Sequence, residues 1–71
     1  METARAAGFE ARYEIQGEGG IVTYIVASYD DEMMRETVAL ALLGTETRSG
    51  GTVVRVEMLD ENGNALEEFE A

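Results

Sequence analysis

The chain has 71 residues, a formal net charge of −10 and no cysteine or histidine. This length supports one hydrophobic core, so we expect a single domain over residues 1–71, with residues 1–8 as a flexible N-terminal segment. The composition excludes a disulfide framework and a thiolate nucleophile, removes histidine as acid-base group or metal ligand, and argues against direct binding to nucleic acid or anionic membranes.

The first predicted element is a strand over Phe9–Gln16, where apolar and polar residues alternate without interruption. This period of two is typical of a strand with one buried face, and it places Glu10, Arg12 and Glu14 on the solvent-exposed face. The glycines of 17–20 permit the positive φ angles that close a hairpin. A phosphate-binding loop would have to open a helix, and the next residues are β-branched instead.

The second strand, Ile21–Val26, is apolar at every position except Thr23. Apolar side chains on both faces are typical of a strand that is covered on both sides, so we expect it in the middle of the sheet. Ser28 or Asp30 can cap the helix that follows, and Gly44 suits its C-terminal end. The sequence therefore predicts a helix over residues 30–43.

The helix has a predicted core stripe at a spacing of 100° per residue. That stripe is formed by Met34, Thr37, Val38 and Ala41. Leu43 points away from Met34 and could, with Leu40, leave apolar surface for an interface.

The second half of the chain predicts another hairpin. Thr52–Leu59 reads as the third strand, Asn62-Gly63 as a turn, and residues 64–71 as the last strand. The predicted fold is α+β, in the order ββαββ, with a four-stranded, mostly antiparallel sheet and one helix packed across one face. The expected core is Phe9, Tyr13, Ile25, Met34, Val38, Ala41, Val54, Val56 and Phe69.

One stretch imitates a metal site. Asp60, Asn62 and Asn64 match positions 1, 3 and 5 of a calcium-binding loop. Ala65 replaces the glycine that such a loop requires, and Ala71 replaces its bidentate glutamate. We therefore interpret the stretch as a hairpin turn and expect no metal and no cofactor.

Catalysis is not expected either. General acid-base pairs need burial to separate their pKa values, and these acids fall on exposed positions or in turns. Tyr13, Tyr24 and Tyr29 could stack on nucleic acid bases, but the basic groove that accompanies stacking is absent. We predict no catalytic residue and interpret the tyrosines as core or sheet-surface residues.

The placement of the acids suggests a binding surface. A sheet edge needs only one or two charges to resist aggregation, and repulsion between further acids costs stability, so the surplus favours a basic partner. The residues expected to contact that partner crowd the helix start, the third strand and the final hairpin. They are Asp30, Asp31, Glu32, Glu36, Glu57, Asp60, Glu61, Glu67, Glu68 and Glu70.

In size, charge and strand-helix-strand pattern, the whole chain resembles the small acidic inhibitors that phages and mobile elements encode, including anti-CRISPR and DNA-mimic anti-restriction proteins. The resemblance implies an inhibitor that occupies the nucleic-acid-binding surface of a host defence complex, either protein or ribonucleoprotein. The alternative is a small structural or assembly subunit that dimerises through Leu40, Leu43, or an outer sheet face with Val22 and Val53.

The expected compartment is the cytoplasm, that of the host cell if a phage encodes the chain. The longest apolar runs, Ile21–Ala27 and Val38–Leu43, fall short of the roughly 20 residues that span a membrane. Residues 1–10 lack the apolar segment of a signal peptide.

Overall fold

The computed structural model describes residues 8–71 and confirms the α+β fold with its ββαββ order. Residues 1–7 of the predicted flexible segment lie outside the described residues. The elements are β1 Phe9–Gln16, β2 Val22–Tyr29, α1 Glu32–Leu42, β3 Thr52–Leu59 and β4 Ala65–Glu70, with one turn of 3-10 helix, Glu18–Gly20, between β1 and β2.

The four strands form one antiparallel sheet in the order β2-β1-β3-β4. The prediction that the second strand lies in the middle is wrong, because β1 and β3 take the central places. Tyr13 at the centre of β1 pairs with Ile25 of β2 and Val56 of β3. Since β2 is an edge strand, Ile25 is 48% exposed and is not a core residue.

The core lies between α1 and one face of the sheet. Ala11, Tyr13 and Ile15 supply it from the alternate positions of β1, as the period of two predicts. We call the opposite face of the sheet the outer face. The buried cluster consists of Ala11, Tyr13, Ile15, Ala39, Val53, Val56 and Met58, and Ala27, Tyr29, Leu43 and Phe69 pack partly buried against it.

A register shift in β3 changes which valine is buried. Glu14 pairs with Arg55, but the next residue, Ile15, pairs with Val53, so Val54 is the extra residue of a β-bulge. Val53 is therefore 3% exposed and belongs to the core, while Val54 is only partly buried. The expectations of Val54 in the core and Val53 on the outer face are both wrong.

The helix turns a different face to the sheet from the predicted one. Its two buried residues are Arg35 and Ala39, whereas Met34 is 55% exposed. Of the remaining predicted stripe, Thr37 and Ala41 are exposed and Val38 is partly buried. The pattern of apolar residues misplaced this face because a buried arginine occupies one of its positions.

The ends of α1 also differ from the prediction. The strand before it continues to Tyr29, so Ser28 cannot cap the helix, and Asp31 does so by accepting a hydrogen bond from the backbone N–H of Met33 at 2.7 Å. Leu43, considered above as an interface residue, packs partly buried against the core. Among residues 8–71, no helix is long and apolar enough to cross a membrane.

Candidate functional site

Arginines on the outer face hold four of its acids in one cluster. Arg12 Nε donates to Glu57 Oε1 at 2.6 Å, and Arg55 Nη1 lies 2.9 Å from Glu57 Oε2. The antiparallel register causes this, because it places Arg12 opposite Glu57 and Arg55 opposite Glu14. Arg55 also approaches Glu68 at 2.6 Å, Glu70 at 3.6 Å and Glu14 at 3.9 Å. We call these six residues the Arg55 network.

Glu57 is the buried member of the Arg55 network, since its side chain is 8% exposed. The hydrogen bond from Arg12 is the main cause that lowers the pKa of Glu57, and the charges of Arg12 and Arg55 lower it further against the opposing effect of burial. Hydrogen bonding to Glu68 in turn raises the pKa of Arg55. The four acids of the Arg55 network are therefore engaged within the fold.

A second group of acids lines an open groove of about 920 Å³. Its carboxylates come from three separate segments, with Glu10 on β1, Glu32 on α1, and Asp60 and Glu61 in the β3–β4 turn. Phe9, Leu59 and Leu66 add apolar surface, and Gly8, Ser28, Arg35 and Asn62 complete the lining. We call this the acidic groove, since four carboxylates face one cation.

Arg35 is the cation of the acidic groove, and it lies beneath the surface with 6% exposure. Its guanidinium sits over the ring of Phe9, 5.5 Å from the centroid, which is a cation–π distance. Nη1 donates to the carbonyl of Leu59 at 3.3 Å and Nη2 to Glu32 at 3.5 Å, while Nε is buried without a partner. Arg35 thus ties the helix start to β1 and to the end of β3.

The predicted contact residues therefore do not form one surface. The structure brings Glu32, Asp60 and Glu61 together in the acidic groove and places Glu57, Glu68 and Glu70 in the Arg55 network. Asp30, Asp31 and Glu36 are exposed at the helix start, and Glu67 is exposed on β4.

Two of the predicted acids also accept hydrogen bonds from backbone N–H groups. Asp31 caps α1, and Asp60 Oδ1 accepts hydrogen bonds from the backbone N–H groups of Asn62 at 2.8 Å and Asn64 at 2.9 Å. The stretch that imitates a calcium loop is thus a hairpin turn, with Gly63 at φ 85°. Among the described residues, no group of three or more acids is arranged to hold a metal ion.

The predicted contact set left out five charged residues of these sites, namely Arg12, Glu14 and Arg55 of the Arg55 network and Glu10 and Arg35 of the acidic groove. Glu10, Arg12 and Glu14 were recognisable as exposed-face residues, but their partners depend on strand register. Arg35 gave no signal of burial, because arginine is rarely buried unless its charge is paired. Their roles become visible only once β1 is placed between β2 and β3.

Comparison with known protein families, curated proteins and solved structures finds no match to this chain. The geometry and charge of the Arg55 network and of the acidic groove are therefore the observations that bear on function. The acidic groove is the stronger candidate, because one arginine opposes its four carboxylates, whereas two arginines oppose the four of the Arg55 network. It also adjoins exposed apolar surface such as Leu66, which is 64% exposed.

Proposed function

We propose that the chain is a non-enzymatic binding protein whose acidic groove receives a Lys/Arg-rich part of a protein or ribonucleoprotein complex. The convergence of Glu10, Glu32, Asp60 and Glu61 on one groove carries the proposal, since these residues come from three distant segments. Four carboxylates and the one cation, Arg35, give the groove a formal charge of −3.

The groove offers both parts of a basic side chain a suitable contact. Arginine and lysine have apolar stems, which can lie on Phe9 and Leu66, and charged heads that carboxylates attract. The net charge of −10 adds a long-range attraction that speeds encounter with a basic surface. Binding of this kind weakens as salt rises.

In its most specific form, the proposal is an inhibitor that occupies the nucleic-acid-binding surface of a host defence complex, as anti-CRISPR and DNA-mimic proteins do. Size, charge and the ββαββ pattern support this form. It places the chain in the cytoplasm of the host cell, without direct binding to nucleic acid or membranes. Carboxylates then stand where the phosphates of the nucleic acid would lie.

The test compares two double variants with the same change of charge. Glu32→Gln with Glu61→Gln removes two of the four carboxylate charges of the acidic groove, whereas Glu36→Gln with Glu67→Gln removes two carboxylate charges outside it. An octa-arginine peptide serves as the probe, with affinity measured by fluorescence anisotropy at several salt concentrations. We expect the groove variant to bind on the order of tenfold more weakly, with a shallower salt dependence, and the control to bind nearly as wild type does.

Equal weakening in both variants would contradict the proposal, because binding would then follow total charge and not the groove. The same two double variants also test binding to the biological partner. Proteins that a host lysate yields at low salt and releases at high salt should bind the control variant and lose affinity for the groove variant. A wild-type protein that retains no basic protein at low salt would count against the inhibitor form.

A further inference from the structure

The strand β2 is an edge strand without any charged residue. Residues 21–29 read IVTYIVASY in a chain of which 28% of residues are charged. Its apolar side chains are open to solvent, with Ile21 68%, Val22 43%, Tyr24 59%, Ile25 48% and Val26 53% exposed. No other strand among residues 8–71 pairs with its outer edge.

The other edge of the sheet is built in the opposite way. β4 carries Glu67, Glu68 and Glu70 within six residues. Charged side chains on an edge strand oppose pairing with another chain, and natural proteins use them for this purpose. The molecule thus blocks one edge of its sheet and leaves the other uncharged, with unpaired backbone groups.

The sequence of β2 does not follow the pattern of a strand with one covered face. Such an antiparallel strand usually alternates apolar and polar residues, as the central strand β1 does. β2 instead has Val22, Tyr24 and Val26 on the outer face and Ile25 on the helix side. β2 therefore presents apolar side chains on both faces at an edge that no described strand covers.

We infer that β2 pairs antiparallel with β2 of a second copy of this chain, joining the two four-stranded sheets into one across a twofold axis. On the outer face, Val22, Tyr24 and Val26 of both copies then form a continuous apolar strip. On the helix side, each exposed Ile25 gains an apolar neighbour from the other copy.

The distribution of charge favours a second copy of this chain as the partner at the β2 edge. Two molecules that each carry −10 repel one another, so they can approach closely only where carboxylates are absent, and β2 is the strand that lacks them. Pairing of β2 with β4 would set apolar side chains beside glutamates and leave free edges that propagate into a filament. Pairing of β2 with itself closes as a dimer.

The exposed area is of a size that often marks a functional surface. Val22, Tyr24 and Val26 share the outer face, and Ile25 lies on the helix side. Their exposed apolar surface is on the order of a few hundred Å², within the 300–600 Å² of the largest patch on a typical monomer, which is often functional. Backbone hydrogen bonds between the two strands add to this contact.

The test uses the full chain and two lysine variants with the same charge change. Val26→Lys places a charge on β2, and Leu40→Lys places one at a 48% exposed position on α1, outside both β2 and the acidic groove. Both lower the net negative charge, so weaker general repulsion would favour association in both. Sedimentation equilibrium should give twice the 7.7 kDa monomer mass for the wild type and Leu40→Lys. Val26→Lys should raise the dissociation constant tenfold or more.

Hydrogen exchange locates the contact. Backbone amides of Val22–Tyr29 should exchange more slowly in the wild-type dimer than in Val26→Lys, and circular dichroism should confirm that both variants stay folded. A wild-type chain that is monomeric at millimolar concentration overturns the inference. So does a dimer that survives Val26→Lys, or one that Leu40→Lys disrupts equally. Raising the salt concentration should tighten this dimer, whereas it should loosen binding in the acidic groove, so the two proposals can fail separately.

Discussion

At the scale of single residues, the Arg55 network changes the meaning of the acidic surface. An exposed carboxylate that contacts nothing is free to attract a partner, whereas Glu57 already accepts a hydrogen bond from Arg12 and contacts Arg55. Ion pairs at exposed positions contribute little to stability, but the 8% exposure of Glu57 makes its contacts less accessible to water. Glu57 therefore serves the fold, and Glu67 on β4 offers a matched comparison.

We predict that Glu57→Gln lowers the free energy of unfolding by about 1–2 kcal/mol, because it weakens charge-assisted hydrogen bonds to two arginines. Glu67→Gln, the same change at an exposed position, should stay within about 0.5 kcal/mol of the wild type. Urea unfolding at neutral pH measures both. Equal stability of the two variants would show that the contacts of Glu57 contribute nothing.

The pH dependence gives this prediction a second readout. The lowered pKa of Glu57 in the folded state means that its contribution is present above the usual value of 4.5 and is lost as the pH falls through the folded pKa. The gap in stability between wild type and Glu57→Gln should therefore shrink between neutral pH and pH values below 4.5. A gap that stays constant would assign the effect to packing and not to charge.

The buried hydroxyl of Tyr13 should make the free energy of unfolding depend on pH in the alkaline range. Burial, followed by the hydrogen bond to Tyr29, raises the pKa of Tyr13 above its usual 10.0. Above pH 10 the unfolded chain releases this proton more readily than the folded one, so the free energy of unfolding falls as the pH rises. Tyr13→Phe should show a shallower fall in urea unfolding between neutral pH and pH 11. An unchanged slope would contradict the burial of this hydroxyl.

At the scale of elements, β1 and β2 show what the sequence can and cannot predict. β1 alternates apolar and polar residues, and that pattern directly gave its covered and exposed faces. β2 is apolar on both faces, which indicates that both need cover but does not say which molecule provides it. Its placement inside the sheet was wrong because apolar faces do not determine how many strands pair beside a strand: β1 is central and alternates, whereas β2 lies at an edge.

The predicted orientation of α1 was wrong for a different physical reason. Apolar spacing favoured Ala41, whereas Ala39 and Arg35 face the sheet. A small alanine allows close approach of helix and sheet, and the guanidinium of Arg35 is accommodated by Phe9 and the carbonyl of Leu59. Neither effect is visible in a count of apolar residues.

A pair of identical substitutions distinguishes the two orientations of the helix. Ala39 is 0% exposed, so Ala39→Leu should overfill the core and lower the free energy of unfolding by about 1–3 kcal/mol. Ala41 is exposed, so Ala41→Leu should change it by no more than about 0.5 kcal/mol. Thermal or urea unfolding of both variants measures the difference. A larger loss in Ala41→Leu would restore the face that the sequence predicted.

At the scale of the whole molecule, the acidic groove depends on topology. Glu10, Glu32 and Glu61 are far apart in sequence and meet because β1 lies beside β3 and the helix start lies near the end of both. The sequence identified acidic residues at the helix start and in the final turn. It could not assign them to one site, because strand order is set by long-range packing.

The last prediction concerns the cost of the net charge itself. A Debye length of about 30 Å in 0.01 M salt exceeds the width of a four-stranded sheet, about 15 Å, so carboxylates on different strands then repel one another. In 1 M salt the length is about 3 Å, and only direct contacts such as Arg55 with Glu68 persist. Between these conditions the free energy of unfolding should rise, at protein concentrations low enough to avoid dimers. Fluorescence or circular dichroism during urea unfolding at both concentrations measures it. A fall would mean that attraction within the Arg55 network outweighs repulsion, and the surplus charge would then need no basic partner to explain it.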